Sequence, residues 1–278
     1  MTVLTRPLPS FNGVADAQTA TLDLPIGLTY KGISLTRGGT NFDQDDLNEI
    51  RVKANGREIY KVSGADIDDI NAYNGIGAAG GAFTYLDFER AGLKTKAGVE
   101  LTAIGTGMPL NSDPSSPLFN PTPITNLQLE VDIENSTAPT LSARAYQMGP
   151  RPTGVLSKRR KFTFAVAGSG DTEISTLPKG DPIDRIWIKG SSDNITSVKL
   201  ERDVFTVFDR PDTENDEFHD NFGIRSTVTG LYVVDPTEQG WGNQAILTDV
   251  NDFRLTVTTS GANTLTVYVD YLGLLSGQ

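Results

Sequence analysis

The chain has 278 residues and no cysteine, and its 24 Lys and Arg against 35 Asp and Glu give a formal net charge of -11. The absence of cysteine excludes a disulfide framework and a thiolate metal site, and it suits folding in a reducing cytoplasm. The acidic balance disfavours a sequence-independent nucleic-acid binder, because such binding depends on neutralising phosphates. The length favours two domains, although one large β-sandwich also fits it.

No segment of the sequence is expected to cross a membrane. The longest uncharged run, residues 71–86, is interrupted by glycines and asparagines, whereas a spanning helix needs ~20 apolar residues. The N-terminus lacks the apolar core of a secretory signal. We therefore expect a soluble chain.

The first half reads as short strands with a helix between two groups of them. Strands are predicted at residues 19–24, 30–37, 49–54 and 57–62. Asn55-Gly56 joins the last two, and this dipeptide favours the type I′ turn of a β-hairpin. Ser63 is predicted to cap a helix with an acidic first turn, and Gly75 to end it in the left-handed conformation.

A second series with the same order begins near Asp184. Strands are predicted at residues 185–189, 197–201 and 204–208, the last two as a hairpin. Asp212 is predicted to cap a second acidic helix, which Gly223 ends. Phe218 and Phe222, four residues apart, share one face of this helix.

Each half closes on two strands with period-two alternation, which is typical of antiparallel strands with one face on a core. These strands are predicted at 127–133 and 140–146 in the first half, and at 253–257 and 264–271 in the second. We predict a hairpin from each pair. The first half has a longer connection before its pair, residues 106–123, whose Pro, Ser, Asn and Gly content predicts an exposed loop.

The repeated order of elements indicates an internal duplication. The halves meet at residues 147–161, where two prolines and two glycines within eight residues predict a linker. Two antiparallel units of about eight short strands, with a helix between the strand groups, fit jelly rolls. The predicted fold is all-β, with two tandem eight-stranded antiparallel jelly rolls, each with a short helix, at residues 1–150 and 151–278.

One acidic turn is a candidate calcium site, formed by Asp43, Asp45, Asp46 and Glu49. Clustered carboxylate oxygens are ligands that Ca²⁺ prefers. The turn lacks the glycine and the spacing of an EF-hand loop, and a solvated turn before a strand is the favoured alternative. We expect no required cofactor, and structural Ca²⁺ is the one candidate ion.

The dense basic run consists of Lys158, Arg159, Arg160 and Lys161. One interpretation is contact with anionic lipid headgroups, to which each charge contributes ~1 kcal/mol near a membrane surface. Contact with nucleic acid is a weaker interpretation. The favoured alternative is a strand between the domains whose charges pair with nearby carboxylates.

Three further side chains are candidates for contacts. His219 is the one histidine, and without a second ligand or a serine elbow we expect an exposed helix position. Trp187 alternates with two isoleucines, so one side of its strand is a candidate subunit or jelly-roll contact. Trp241 lies between two glycines and is a candidate binding-loop aromatic or interface anchor.

Several of these stretches, in their order along the chain, resemble the major capsid proteins of corticoviruses, which are tailless icosahedral bacteriophages with an internal membrane. The matching stretches are 24–30 (LPIGLTY), 48–57 (NEIRVKANGR), 141–145 (LSARA), 159–160 (RR), 172–178 (TEISTLP), 185–190 (RIWIKG) and 267–273 (VYVDYLG). The chain departs from the family pattern at residues 75–82 and 106–123.

The resemblance implies a double jelly roll whose two barrels stand upright on an icosahedral shell. It implies homotrimers of pseudo-hexagonal outline that contact neighbouring trimers, penton or spike proteins and membrane proteins. It also implies assembly in the host bacterial cytoplasm and residence in the virion capsid. An acidic coat around a lipid vesicle need not touch the genome, so no direct nucleic-acid binding is expected.

Two other functions remain open on the sequence alone. A tandem β-sandwich could bind surface glycans, as in a virion spike or fibre, through aromatic side chains in exposed loops. A glycosidase needs a pair of carboxylates, but no local arrangement among the 35 acids singles one out. We therefore expect a structural protein and not an enzyme.

Overall fold

The computed structural model describes residues 3–76, 81–107, 115, 123–222, 225 and 227–276. The predicted helix end at Gly223 lies outside these residues, as does most of the predicted 106–123 loop. Within the described ranges no helix is long and apolar enough to cross a membrane.

The first half contains nine strands and two helices within its described residues. They are β1 (Leu4–Pro7), β2 (Gln18–Asp23), β3 (Thr29–Thr40), β4 (Leu47–Ala54), β5 (Arg57–Val62), α1 (Gly64–Tyr73), β6 (Phe83–Asp87), α2 (Lys96–Val99), β7 (Ile104–Gly105), β8 (Leu127–Ile133) and β9 (Thr137–Met148). A short 3₁₀ turn, Glu100–Thr102, follows α2.

The second half contains eight strands and one helix within its described residues. They are β10 (Leu156–Val166), β11 (Gly170–Ile174), β12 (Ile183–Gly190), β13 (Ile195–Arg202), β14 (Phe205–Pro211), α3 (Asp212–Phe222), β15 (Leu231–Val234), β16 (Phe253–Thr259) and β17 (Asn263–Gly273).

The local turn and cap chemistry agrees with the sequence at three positions. Asn55 and Gly56 have φ values of 50° and 76°, as a type I′ turn requires. The Ser63 hydroxyl accepts a hydrogen bond from the Asp66 N–H, and Gly75 follows α1 at φ 71°. Asp212 is the first residue of α3 and not its cap, a shift of one residue at a helix end.

The two halves have the same topology. In the first half, a sheet of order β1-β9-β3-β6 accompanies strands of order β2-β8-β4-β5; in the second, the corresponding orders are β10-β17-β12-β15 and β11-β16-β13-β14. Each half is therefore an eight-stranded jelly roll, with the small β7 added beside β3 in the first. The shared order confirms the predicted fold, and it supports the predicted duplication.

The two predicted closing hairpins are wrong. β8 pairs with β2 and β4, whereas β9 pairs with β1 and β3. The corresponding strands of the second half, β16 and β17, also belong to different sheets. Alternation shows that one face of a strand is buried, but it does not show which strand lies beside it, because both sheets of a jelly roll face one core.

The jelly rolls are joined side by side and point in the same direction. β5 lies parallel to β10 through the pair Tyr60 and Arg159, which makes one eight-stranded sheet across both halves. Each half contributes most of one of two hydrophobic cores. The chain between β9 and β10 is shorter than the predicted linker, and Lys158–Lys161 lies in β10. The domain boundary at residues 150 and 151 stays a prediction.

Candidate functional site

The most extensive polar and aromatic cluster lies where the two jelly rolls meet. Trp187 and Tyr268 belong to strands of the second half, but their side chains pack in the core of the first. The Tyr73 ring of α1 meets the Trp187 ring edge-on, with centroids 5.2 Å apart. Ile186 and Ile188, on either side of Trp187, face the second core. The jelly-roll contact predicted for Trp187 is confirmed.

A buried ion pair of the second half, Arg159 with Asp270, contacts the first half through Tyr60. The Arg159 guanidinium donates two hydrogen bonds to Asp270, at 2.7 and 2.8 Å, and a third to the Tyr60 hydroxyl at 2.8 Å. The Trp187 indole N–H donates to the same carboxylate at 2.8 Å. Burial lowers the pKa of Arg159, but Asp270 more than offsets this and keeps the pKa above its ordinary value. Burial raises the pKa of Tyr60 to about 12.

The basic run is therefore largely internal. Lys158 is buried and contacts the Asp181 carboxylate and the Leu274 carbonyl, and Arg159 is buried as described above. Arg160 and Lys161 are half-buried. The favoured alternative, a strand with paired charges, fits Lys158 and Arg159, and the lipid interpretation now concerns only Arg160 and Lys161, for which it stays a prediction.

The first turn of α1 supplies a second set of contacts across the junction. Asp66 accepts hydrogen bonds from the Ser63 hydroxyl at 2.6 Å and the Tyr268 hydroxyl at 2.5 Å, and Lys189 lies 2.9 Å away. Lys189 also bonds Asp69 at 2.6 Å. Burial raises the pKa of Asp66, but these donors lower it by more, so it stays below its ordinary value.

His219 is buried, and the prediction that it is exposed was wrong. Its Nε2 lies 3.1 Å from the Tyr73 hydroxyl, and that hydroxyl donates its hydrogen to Asp235 at 3.0 Å. The rings of His219 and Tyr73 meet edge-on. Burial lowers the pKa of His219, so the imidazole is neutral and packs as part of the junction. The sequence interpretation missed this burial, because Tyr73, which contacts His219, lies far from it in the chain.

Two further buried ion-pair clusters at the junction were missed from the sequence. Arg225 pairs with Asp235 and donates to the Ala91 carbonyl of the first half. Arg90 of the first half pairs with Asp184 of the second. Neither pair is local in sequence, so no spacing motif could have identified it; the one available signal is a charged residue inside an otherwise apolar strand pattern, as at Asp184.

A narrow crevice with a volume of about 10 Å³ lies beside the junction, and it is lined by Asp87 and Glu89 from the first half and by Arg159 and Arg185 from the second. Burial, reinforced by the Glu89 charge, raises the pKa of Asp87 to about 7, although the Glu89 N–H donates to its carboxylate at 3.1 Å. The Asp87 carboxyl is therefore partly protonated near neutral pH.

The acidic turn lies beside the start of α1, where the Gln44 amide donates to the Gly64 carbonyl at 2.9 Å. Asp46 accepts a hydrogen bond from the Asp43 N–H at 2.6 Å, and Asp45 is exposed. Glu49 instead bonds Arg51 at 2.6 Å and Lys61 at 2.8 Å on the sheet. No group of three or more acidic or histidine side chains in the described residues is arranged to hold a metal ion. Calcium binding at this turn stays a prediction.

Trp241 lies in the connection after β15 and is 48% exposed. The Lys94 ammonium is 4.5 Å from the ring centroid, in cation–π geometry, and the Lys94 N–H donates to the Gly240 carbonyl. The ring lies where a loop of the first half meets a loop of the second, and its role as a binding-loop aromatic or an interface anchor stays a prediction.

Comparisons with known proteins agree along the whole chain. Residues 5–148 match the family described as viral coat protein P2 N-terminal domain, and residues 156–275 match viral coat protein P2 C-terminal domain. The major capsid protein P2 of Pseudoalteromonas phage PM2 is 26% identical over 97% of this chain and 96% of its own length.

Solved structures show the same fold. The crystal structure of P2 from bacteriophage PM2 matches with a TM-score of 0.85 at 23% identity, over 100% of both chains. The major capsid protein of Sulfolobus turreted icosahedral virus matches with a TM-score of 0.68 at 12% identity, over 99% and 98% of the chains. A PBCV-1 capsid chain matches with a TM-score of 0.65 at 10% identity, over 100% and 97%. The glycan-binding alternative has no support in these similarities.

Proposed function

The chain belongs to the viral coat protein P2 family, and from this premise we propose that it forms homotrimers of pseudo-hexagonal outline in an icosahedral bacteriophage shell around a lipid membrane. It is a structural capsid protein, and capsid subunits of this kind assemble with copies of themselves. The trimer, the membrane and the further partners go beyond family membership and form the proposal.

The main support for the proposed trimer is that two jelly rolls of equal topology lie side by side and point in the same direction. Three such chains in a ring present six nearly equivalent jelly rolls. A trimer then meets six neighbours through similar side surfaces, so one gene product can tile a flat facet. When each subunit contacts the next head to tail and the rotation between subunits divides a full turn evenly, the assembly closes as a ring.

The distribution of exposed apolar side chains supports the proposal that one end of the jelly rolls faces a lipid membrane. The connections after β2, β4, β6, β11, β13 and β15 lie at one end of both jelly rolls, which we call the linker end because residues 149–155 are also there. Exposed large apolar residues at this end include Ile26, Leu101, Trp241, Leu247 and Leu274. A Trp beside a Lys suits a bilayer interface, where amphipathic side chains concentrate.

The opposite end is acidic. Its connections, residues 8–17, 41–46, 134–136, 167–169, 191–194 and 260–262, contain six carboxylates and no Lys or Arg. The carboxylates are Asp16, Asp43, Asp45, Asp46, Glu134 and Asp193. Such an end would be repelled by anionic headgroups, so it suits the outer surface of the shell.

The remaining partners follow from the same proposal. Penton or spike proteins and membrane proteins of the virion would contact the trimer, and assembly would take place in the host bacterial cytoplasm. The net charge of -11 supports a coat that does not bind nucleic acid directly.

Light scattering on the purified chain tests the proposal. We expect a particle of about 90 kDa, three times the 29.9 kDa chain. A mass that stays at one chain across the accessible concentration range, without formation of larger shells, would contradict the trimer.

A further inference from the structure

The duplication gives each jelly roll two kinds of junction surface. The edge surface is the strand after the hairpin turn with the helix that follows it, β5 with α1 in the first half and β14 with α3 in the second. The sheet surface is the outer face of β1-β9-β3-β6 in the first half and of β10-β17-β12-β15 in the second. Within the chain, the first edge surface lies on the second sheet surface. One edge surface and one sheet surface therefore remain.

Corresponding residues of the two edge surfaces differ in burial, and the second edge surface lacks a partner that covers it within the chain. The two hairpins have the same register, so Ile59 of β5 corresponds to Val207 of β14. Ile59 is 3% exposed, whereas Val207 is 44% exposed. An apolar side chain on an exposed strand edge favours pairing with another chain.

The sheet surfaces differ in the same sense. Leu231 pairs with Lys189, three residues after Ile186, and Phe83 pairs with Thr36, three residues after Ile33, so these two positions correspond. The first residue of β15, Leu231, is 6% exposed, but Phe83 at the start of β6 is 53% exposed. Positions that the in-chain junction buries are thus apolar and exposed at the two remaining surfaces.

The charges of the remaining surfaces are complementary. At the in-chain junction, Tyr268 of the sheet surface donates to Asp66, the third residue of α1. Tyr268 is the register partner of Trp187, which follows Ile186 in β12.

Ile33 of β3 corresponds to Ile186 of β12. Ser34, the residue after Ile33, therefore corresponds to Trp187, and its register partner Arg144 corresponds to Tyr268. Arg144 is exposed, and the third residue of α3 is the exposed acid Glu214. A sheet surface and an edge surface that meet as they do inside the chain therefore bring an arginine to a glutamate.

We propose that the β14–α3 edge surface of one copy docks on the β1-β9-β3-β6 sheet surface of a second copy, with Arg144 of one chain facing Glu214 of the other. This contact repeats the in-chain junction between chains, and it rests on the proposed function, whose trimer it builds. Each copy has one surface of each kind, so the contact is head to tail and closes as a ring.

A charge swap tests the contact on the full chain. Arg144→Glu and Glu214→Arg each place like charges together, so we expect the monomer–trimer midpoint to move to at least about tenfold higher protein concentration. The double variant Arg144→Glu/Glu214→Arg restores opposite charges and is expected to recover most of the loss. Light scattering over a dilution series measures all three.

The control is Lys179→Glu, a charge reversal at an exposed residue in the connection before β12; it should leave the midpoint unchanged. Val207→Asp, at the apolar part of the edge surface, should weaken the trimer, while its melting temperature at dilutions where both chains are monomers stays as in the parent. If the parent is a trimer and both single reversals leave it intact, the docking surface is wrong while the trimer stands. If the parent never forms a trimer, the proposed function fails first.

Discussion

Individual side chains at the junction show why burial decides the strength of an ion pair. Arg159 and Asp270 are almost fully buried, whereas Arg51 and Asp132 form a similar two-bond pair, at 2.7 and 2.9 Å, on a partly exposed sheet face. Removing one partner of a buried pair leaves the other charge desolvated without compensation. Exposed pairs are screened by water and contribute little.

The first prediction compares these two pairs. Asp270→Asn should lower the free energy of unfolding by roughly 3–5 kcal/mol, because it leaves the Arg159 charge buried and unpaired. The matched change Asp132→Asn should cost about 1 kcal/mol or less. Urea unfolding of both variants measures the difference; equal losses would mean that the junction pair is not desolvated.

Asp87 gives a second residue-level prediction. Its pKa in the folded chain, raised to about 7, exceeds that of an unfolded aspartate, so the folded state binds more protons between these values. Stability from this group is therefore lost as pH rises from about 4 to about 7.

Asp87→Asn should remove this dependence and raise the free energy of unfolding at pH 8 by on the order of 2 kcal/mol. The control is Asp249→Asn, at an exposed loop carboxylate, which should change little. Thermal unfolding from pH 4 to pH 8 measures both, and a parallel pH profile for parent and Asp87→Asn would refute the assignment.

At the scale of single elements, local features could be predicted from the sequence, but contacts between distant residues could not. Turn chemistry located the hairpin at Asn55-Gly56, and the Ser63 cap located the start of α1, because both signals act over a few residues. Partners across sheets were not predictable in this way, as the closing strand pairs show. The burial of His219 was also missed, because it depends on Tyr73, which lies 146 residues earlier.

The hairpin turn gives an element-level prediction. Gly56→Ala forces a Cβ into a residue with φ 76°, so it should cost about 1 kcal/mol or more, even though no atom lies within 4 Å of the new Cβ. Gly168→Ala, also in open space but without a positive φ, should be neutral or slightly stabilising. Chemical denaturation compares the two; an equal effect would argue against the type I′ turn.

At the scale of the whole molecule, the two ends have different chemistry. The linker end carries Trp241 beside Lys94, and the opposite end carries the exposed acids. Trp187, the other of two tryptophans, is fully buried, so it serves as an internal reference for fluorescence.

We expect brominated lipids in anionic vesicles to quench the fluorescence of the parent chain through Trp241. Trp241→Phe should abolish most of this quenching and leave the Trp187 emission. The matched change Phe83→Leu, at an exposed aromatic near the opposite end, should leave the quenching as in the parent. Quenching that persists in Trp241→Phe would mean that the linker end does not face the lipid.

The duplicated fold, the shared direction of the two jelly rolls and the complementary remaining surfaces all lead to a ring of six similar units built from three chains. Negative-stain class averages of the purified protein test this most directly. We expect a discrete particle with a hexagonal outline and six lobes around a centre. Two-lobed single chains, or particles with any other number of lobes, would contradict it.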